Sequence, residues 1–304
     1  MAFALSAKAA MGDGIALVSA REVAALPRSA PEVGGDGAAP SLDERVHETR
    51  KTIKRLRALL RLYRGALPRA VYDEEDARLR RLARALGGAR DAAALRESLE
   101  LLVSRAPPDS RARLRDGAAV LAEALGADLP LASNETRATL DSVQEALGAF
   151  AERARAVRIE RSGFATIAPG FRRTYARGRR AFGQALERTT ERRLHRLRAL
   201  VKRHQYQLTL LEPLWPEPIR ASRREAQRLG ELLGNDHDLA LLEHRMKSVA
   251  ERREVLSLAP EFRAAVAATH AELRRDALDL AARVYAETPR QITARFRAYF
   301  DAWR

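Results

Sequence analysis

An all-α fold is predicted by three observations. Ala, Leu, Arg and Glu dominate the 304-residue chain, and these side chains lose little rotamer freedom in a helix. β-branched residues are sparse, and no window alternates apolar and polar residues cleanly enough to read as a strand. Gly and Pro fall in clusters that cut the chain into pieces of helical length. Hydrophobic residues make up 46% and aromatics only 5%, so Leu and Ala must fill the core. The length allows one large domain or two of ordinary size.

The elements follow in order. Residues 1–40 are rich in Ala, Gly and Pro and end in Gly34-Gly35-Asp36-Gly37. They read as a flexible tail or linker with at most a short helix around Ile15–Leu26. Ser41 and Glu44 form a capping box before an apolar run, so a helix starts there and runs to about Leu67-Pro68. Further helices are predicted at about 71–86, 90–105, 109–125 and 134–160, separated by Gly87-Gly88, Pro107-Pro108 and Gly126–Pro130. Ser162–Gly170 is a midpoint loop. Helices resume at about 171–187 and 189–212, and Pro213, Pro216 and Pro218 stop the second. Segments 219–233, 236–256 and 260–286 follow, with a last helix from Pro289. About ten helices joined by short turns make a bundle architecture.

Several function classes drop out early. Without cysteine there is no disulfide, zinc-thiolate site or thiol chemistry. No stretch of about 18 apolar residues offers a membrane span. Lys8 and Gly12-Asp13-Gly14 break any apolar signal region, which makes the cytoplasm the expected location.

The charge is focused. The chain carries +15 overall. Arg45–Arg64 holds eight Lys or Arg against Glu48 alone, a net of +7, and Arg172–Arg203 holds twelve against Glu187 and Glu191, a net of +10. All other residues together come to −2. Charge concentrated in two segments points to a polyanionic partner and away from a solubilising coat.

The two segments also repeat one another. His47, Arg50, Lys54 and Arg55 recur as His195, Arg198, Lys202 and Arg203 at a constant offset of 148. Downstream, Arg81-Leu82, Leu86-Gly87 and Asp91 recur as Arg228-Leu229, Leu233-Gly234 and Asp238 at an offset of 147. The repeat predicts two half-domains, 41–161 and 162–304, related by a pseudo-two-fold axis.

Helical geometry places the cations. Val46, Thr49, Ile53, Leu56, Leu60, Tyr63 and Leu67 recur at spacings of 3 and 4 and form a seam facing a core. His47, Arg50, Lys54, Arg57, Arg61 and Arg64 recur one residue later, about 100° around the helix, so a basic stripe about 25 Å long flanks the seam. Lys51 and Arg55 sit beside it. In the second copy Leu194, Leu197, Val201, Leu208 and Leu211 rebuild the seam, interrupted by His204. The stripe there is shorter: His195, Arg198 and Lys202, then Gln205 and Thr209. Arg173, Arg177 and Arg180 on one face of the preceding helix compensate.

These residues resemble the CHAD family, the conserved-histidine α-helical domain. Its pattern is His-x-x-Arg with Lys or Arg seven and eight residues after the His, then Leu-Gly-x-x-Arg/His-Asp later in each half. Gly87, Arg90 and Asp91 supply the second element in the first copy, and Gly234, His237 and Asp238 in the second. Tyr175-Ala-Arg-Gly-Arg179, Tyr206-Gln-Leu and Trp215-Pro216 are also similar to the family. The resemblance covers about residues 41–304. It implies two helical bundles about a basic cavity and binding of inorganic polyphosphate, often at polyphosphate granules. His237 departs from the pattern set by Arg90.

A phosphate-transfer enzyme would need carboxylates to hold Mg²⁺ beside the phosphates. No dense acidic cluster lies near either basic helix in sequence, and there is no Gly-rich phosphate loop. The expectation is a non-enzymatic binder with no cofactor and no metal site. His47 and His195 lie among cations, which disfavours metal binding. Asp236, His237 and Asp238 are consecutive and do not share a helix face. Asp91 and Asp238 are expected to orient neighbouring Arg side chains or cap helices. His204 and His244 are expected at the core edge or surface, and His270 carries no special signal. Nucleic acid is not the expected partner, because aromatic stacking platforms are few.

Overall fold

The computed structural model describes residues 3–7, 9–27, 40–87, 91–126, 134–249 and 259–303. Among them are eleven α-helices and no strand. The helices are α1 (Gly14–Ala24), α2 (Leu42–Leu62), α3 (Arg69–Ala85), α4 (Asp91–Arg105), α5 (Pro108–Gly126) and α6 (Asn134–Ala156). After them come α7 (Ala168–Glu187), α8 (Glu191–Leu211), α9 (Pro216–Val249), α10 (Ala259–Val284) and α11 (Pro289–Trp303).

Helix α2 lies at the centre. The predicted capping box starts it: Glu44 N–H donates to Ser41 Oγ (3.2 Å) and Ser41 N–H to Glu44 Oε2 (2.7 Å). The predicted seam is buried, and so are Thr52, Ala58, Leu59 and Leu62. More than one face is covered because α2 packs against α1, α3, α6, α7 and α8 at once.

Two apolar clusters form the core. The larger joins α1–α3, α6–α8, the start of α9, the end of α10 and α11. The smaller joins α4 and α5 to the C-terminal part of α9 and the first part of α10 through Leu102, Leu121, Leu242 and Phe262. Neither cluster divides at the boundary between residues 161 and 162, so helices from both sequence halves share each core.

Three expectations about the elements need correction. The first concerns the N-terminal segment read as a tail. Residues 28–39 lie outside the described residues, but Phe3, Leu5, Met11, Ile15 and Val18 are buried in the larger core. Leu5 N–H donates to Leu210 O (3.0 Å), and Tyr63 Oη–H to Met11 O (2.7 Å). The apolar face of α1 against α2 and α6 outweighs the low-complexity composition around it.

The second concerns 219–233 and 236–256. Through Val249 these form one helix, α9, and 250–258 lie outside the described residues. Gly in a helix costs about 1 kcal/mol against Ala, and burial of Leu229, Leu233, Leu239 and Leu242 on either side of Gly234 offsets it. The third concerns 134–160, where α6 ends at Ala156.

His204 is a core residue and not an edge one. It is 3% exposed, with ring centroids 5.7 Å from Phe171 and 5.3 Å from Tyr175. Burial, reinforced by Arg295, pushes its pKa down to about 3, so the ring is neutral in the folded chain.

The docking of α1 is directly testable. Ile15→Ala should lower the unfolding free energy by about 2–5 kcal/mol, the usual cost of truncating a buried Ile. Denaturant unfolding measures it, and an effect near zero would restore the tail reading.

Candidate anion-binding groove

A groove of about 690 Å³ runs between α2 on one side and α8 and α9 on the other. The predicted stripe of α2 lines it: His47, Arg50, Lys51, Lys54, Arg55, Arg57 and Arg61. From α8 come His195, Arg198, Lys202 and Arg203. Thus thirteen of the sixteen candidate positions lie here or adjoin it: these eleven on the wall, with Arg173 and Arg177 in a small cleft that shares Arg61 and Arg203 with the groove. Arg64 and Tyr72 line that cleft too, and the Arg64 guanidinium sits 4.6 Å from the Tyr72 ring centroid.

The other three candidates differ. Arg180 is exposed and lines neither cavity, because the stripe of α7 runs on past the cleft. His237 is half-buried beside His195, with ring centroids 4.7 Å apart. Arg90 lies outside the described residues, and of Asp91 only its place at the start of α4 is described.

Sequence reasoning missed part of the wall. Arg223 lines it from α9, with Gln227, Gly230, Gly234 and Asp238. Their spacings of 3 and 4 mark one helix face, a signal present in the sequence once α9 is read as continuous. Glu97 of α4 and Glu231 of α9 also reach the groove. Among the described residues, ten Lys or Arg face three carboxylates, ten less three, or +7.

The long cationic side chains are held in place by contacts made beneath the wall. Asp76 of α3, 4% exposed, accepts from Arg61 Nη2 (2.6 Å) and Arg57 Nε (3.4 Å). Glu22 of α1, 1% exposed, accepts from Arg55 Nη1 (3.1 Å). Burial raises the Glu22 pKa, and Arg55 opposes the rise. Glu212, also buried, accepts from Arg223 Nε (2.8 Å). Within the sequence of α2, Glu48 is the only acid of the stripe. The fold supplies others from distant helices.

The repeated Arg makes a repeated contact. Arg50 donates to the carbonyls of Leu86 and Gly87, the latter at 3.1 Å. Arg198 lies over Gly234, where a Cβ would sit 3.5 Å from Nη2. One turn earlier, a Cβ at Gly230 would meet Lys202 Cε at 2.9 Å. In both copies the Arg of His-x-x-Arg packs on the Gly of the Leu-Gly element. Asp238 Oδ1 stands 4.0 Å from Arg198 Nη2, in the expected orienting role.

Tyr175-Ala-Arg-Gly-Arg179 serves packing. Tyr175 Oη–H is within 3.2 Å of Val284 O and 3.1 Å of Glu287 O, and Arg179 Nε donates to Tyr285 O (3.2 Å). Gly178 leaves room for the Tyr285 ring. His270 does carry a role: its Nδ1 lies 2.6 Å from Asp236 Oδ1, which also accepts from Arg274 Nε (2.7 Å).

Arg203 stands apart. Among the described residues it makes no hydrogen bond or ion pair. Burial, then Arg61, Arg57 and Arg177, push its pKa down to about 10, so it stays protonated at neutral pH against local repulsion. Arg203→Met should therefore stabilise the ligand-free chain, by about 1 kcal/mol, as replacing a desolvated charge with an apolar side chain does. Thermal unfolding without ligand reads this out, and a lower Tm would contradict it.

Comparison with known proteins agrees with the geometry. No curated protein matches the chain. The family model of the CHAD domain matches residues 36–247, more than two-thirds of the chain, and spans α2, α8 and most of α9, the walls of the groove. A chain that matches over this length, and that carries both copies of the repeated motif on those walls, belongs to the CHAD-domain family.

Proposed function

We propose that the groove binds inorganic polyphosphate and that the chain does so without turning it over. The observation that carries the reading is the wall itself, ten Lys or Arg against three carboxylates in one groove about 690 Å³ in volume. A flexible single chain with a negative charge on every unit suits such a lining. Arg forks onto phosphate oxygens, and Lys supplies a compact point charge. Membership of the CHAD-domain family supports the same ligand, and association with polyphosphate granules follows from it.

Nucleic acid suits the groove less well. Among the described residues Tyr206 is the one Phe, Tyr or Trp on its wall, and its ring is met edge-on by Phe3 at 6.4 Å. Successive bases would find no series of stacking platforms. Among the described residues no group of three His, Cys, Asp or Glu is placed to hold a metal ion. Among the described residues no helix is long and apolar enough to cross a membrane.

Competition at fixed salt tests the reading. Labelled polyphosphate should be displaced by unlabelled polyphosphate and poorly by DNA, RNA or pyrophosphate. Affinity should fall with salt by a log–log slope of roughly 0.7 per phosphate contact, on the single-strand value. Incubation with polyphosphate and Mg²⁺ should release no orthophosphate. A flat salt response, or DNA competing as well as polyphosphate, would contradict the assignment.

A further inference from the structure

His195 and His237 come from different helices yet meet at the edge of the groove, with ring planes inclined by 51°. His195 is exposed on the wall. His237 is half-buried, and its Nδ1 is sealed from solvent without a hydrogen-bond partner. The charges acting on His237 are Arg198 and Glu191 of α8 and Asp238 of its own helix. Across the groove α2 presents His47 and Arg50, and α4 presents Glu97. Helix α10 brings His270 and Arg274, both bonded to Asp236. Helix α5 contributes Leu114 and Leu121 to the apolar cluster that holds Leu239 and Leu242 of α9.

Without a ligand this surrounding disfavours the charged form of His237. Burial lowers its pKa most, and Arg198 and His195 lower it further. A positive charge on His195, in ring contact, opposes protonation of His237. A phosphate chain in the groove reverses the local field and favours the charged form of His237.

We propose that His237, in ring contact with His195, is a proton-linked part of the anion site, which takes up a proton as a polyanion enters and so tightens binding on acidification. This rests on the polyanion reading of the groove. A group whose pKa is higher in the complex than in the free protein binds protons on association. Affinity then rises as pH falls between the two values and levels off below the lower one. His237 in the free protein lies below the ordinary histidine value of about 6.5, so the rise continues below neutrality.

Isothermal titration calorimetry with medium-chain polyphosphate tests this, at constant ionic strength from about pH 8 to about pH 5.5, in buffers of different ionisation heat. The wild type should take up protons on binding. Its gain in affinity across the range should exceed that of the His195→Asn/His237→Asn variant by about tenfold, the equivalent of one pKa unit. His195→Asn alone, at an exposed position, should lose part of the same gain and serves if the double variant does not fold. His244→Asn, exposed on α9 and off the groove wall, should keep the wild-type profile. Equal pH dependence in the wild type and both groove variants would overturn the proposal and assign the effect to the phosphate end groups or to His47. Binding without proton uptake would overturn the linkage alone. No wild-type binding at any pH would overturn the polyanion reading, and the linkage with it.

Discussion

Repulsion among ten cations in one groove is the constraint around which the rest of the structure is arranged. Two like charges 4 Å apart near a protein surface cost about 4 kcal/mol at an effective dielectric of 20. The fold contains this cost from behind the wall. Asp76 pairs with Arg57 and Arg61, Glu22 with Arg55, and Glu212 with Arg223. Each carboxylate is buried and comes from outside the stripe it serves. The guanidinium groups are thereby fixed in position. Where the buttressing stops, at Arg203, the repulsion remains in the free protein as the depressed pKa of that group.

The packing of the helices serves the same end. Arg198 and Lys202 lie against α9 because Gly234 and Gly230 have no side chains to displace them. Arg50 is tied to the carbonyls of Leu86 and Gly87 at the end of α3. The N-terminal segment, with Glu22 and with Phe3 under the Arg55 guanidinium at 5.7 Å, closes the α2 side of the site from below. Family motifs thus divide by physical role. The His-x-x-Arg and Leu-Gly elements shape the groove, whereas Tyr175 to Arg179 locks α7 onto the end of α10.

The all-α class was legible because no stretch alternates and the breakers are clustered. The stripes on α2 and α8 were legible because a period of 3.6 residues projects one face from sequence alone. The buttresses were not. Glu22 lies 33 residues from Arg55, and Asp76 lies 19 from Arg57 and 15 from Arg61, and only tertiary docking brings them together. The expected break at Gly234-Asn235 separated Arg223, Gln227 and Gly230 from Gly234 and Asp238 on the same face, and packing on both sides overrides a weak helix former there. Ile15 and Val18 were hidden by the Gly- and Pro-rich residues that follow them. Arg180 was included because periodicity shows which side of α7 it is on and not where the cleft ends.

The central claim is that cations from both copies of the repeat act on one anion. Calorimetric stoichiometry with a short polyphosphate tests it most directly, on the wild type and on two variants, Lys54→Ala/Arg57→Ala and Arg198→Ala/Lys202→Ala. One binding event per chain, weakened by either variant, is the predicted result. Two independent events per chain, each lost only with the variant in its own half, would contradict it.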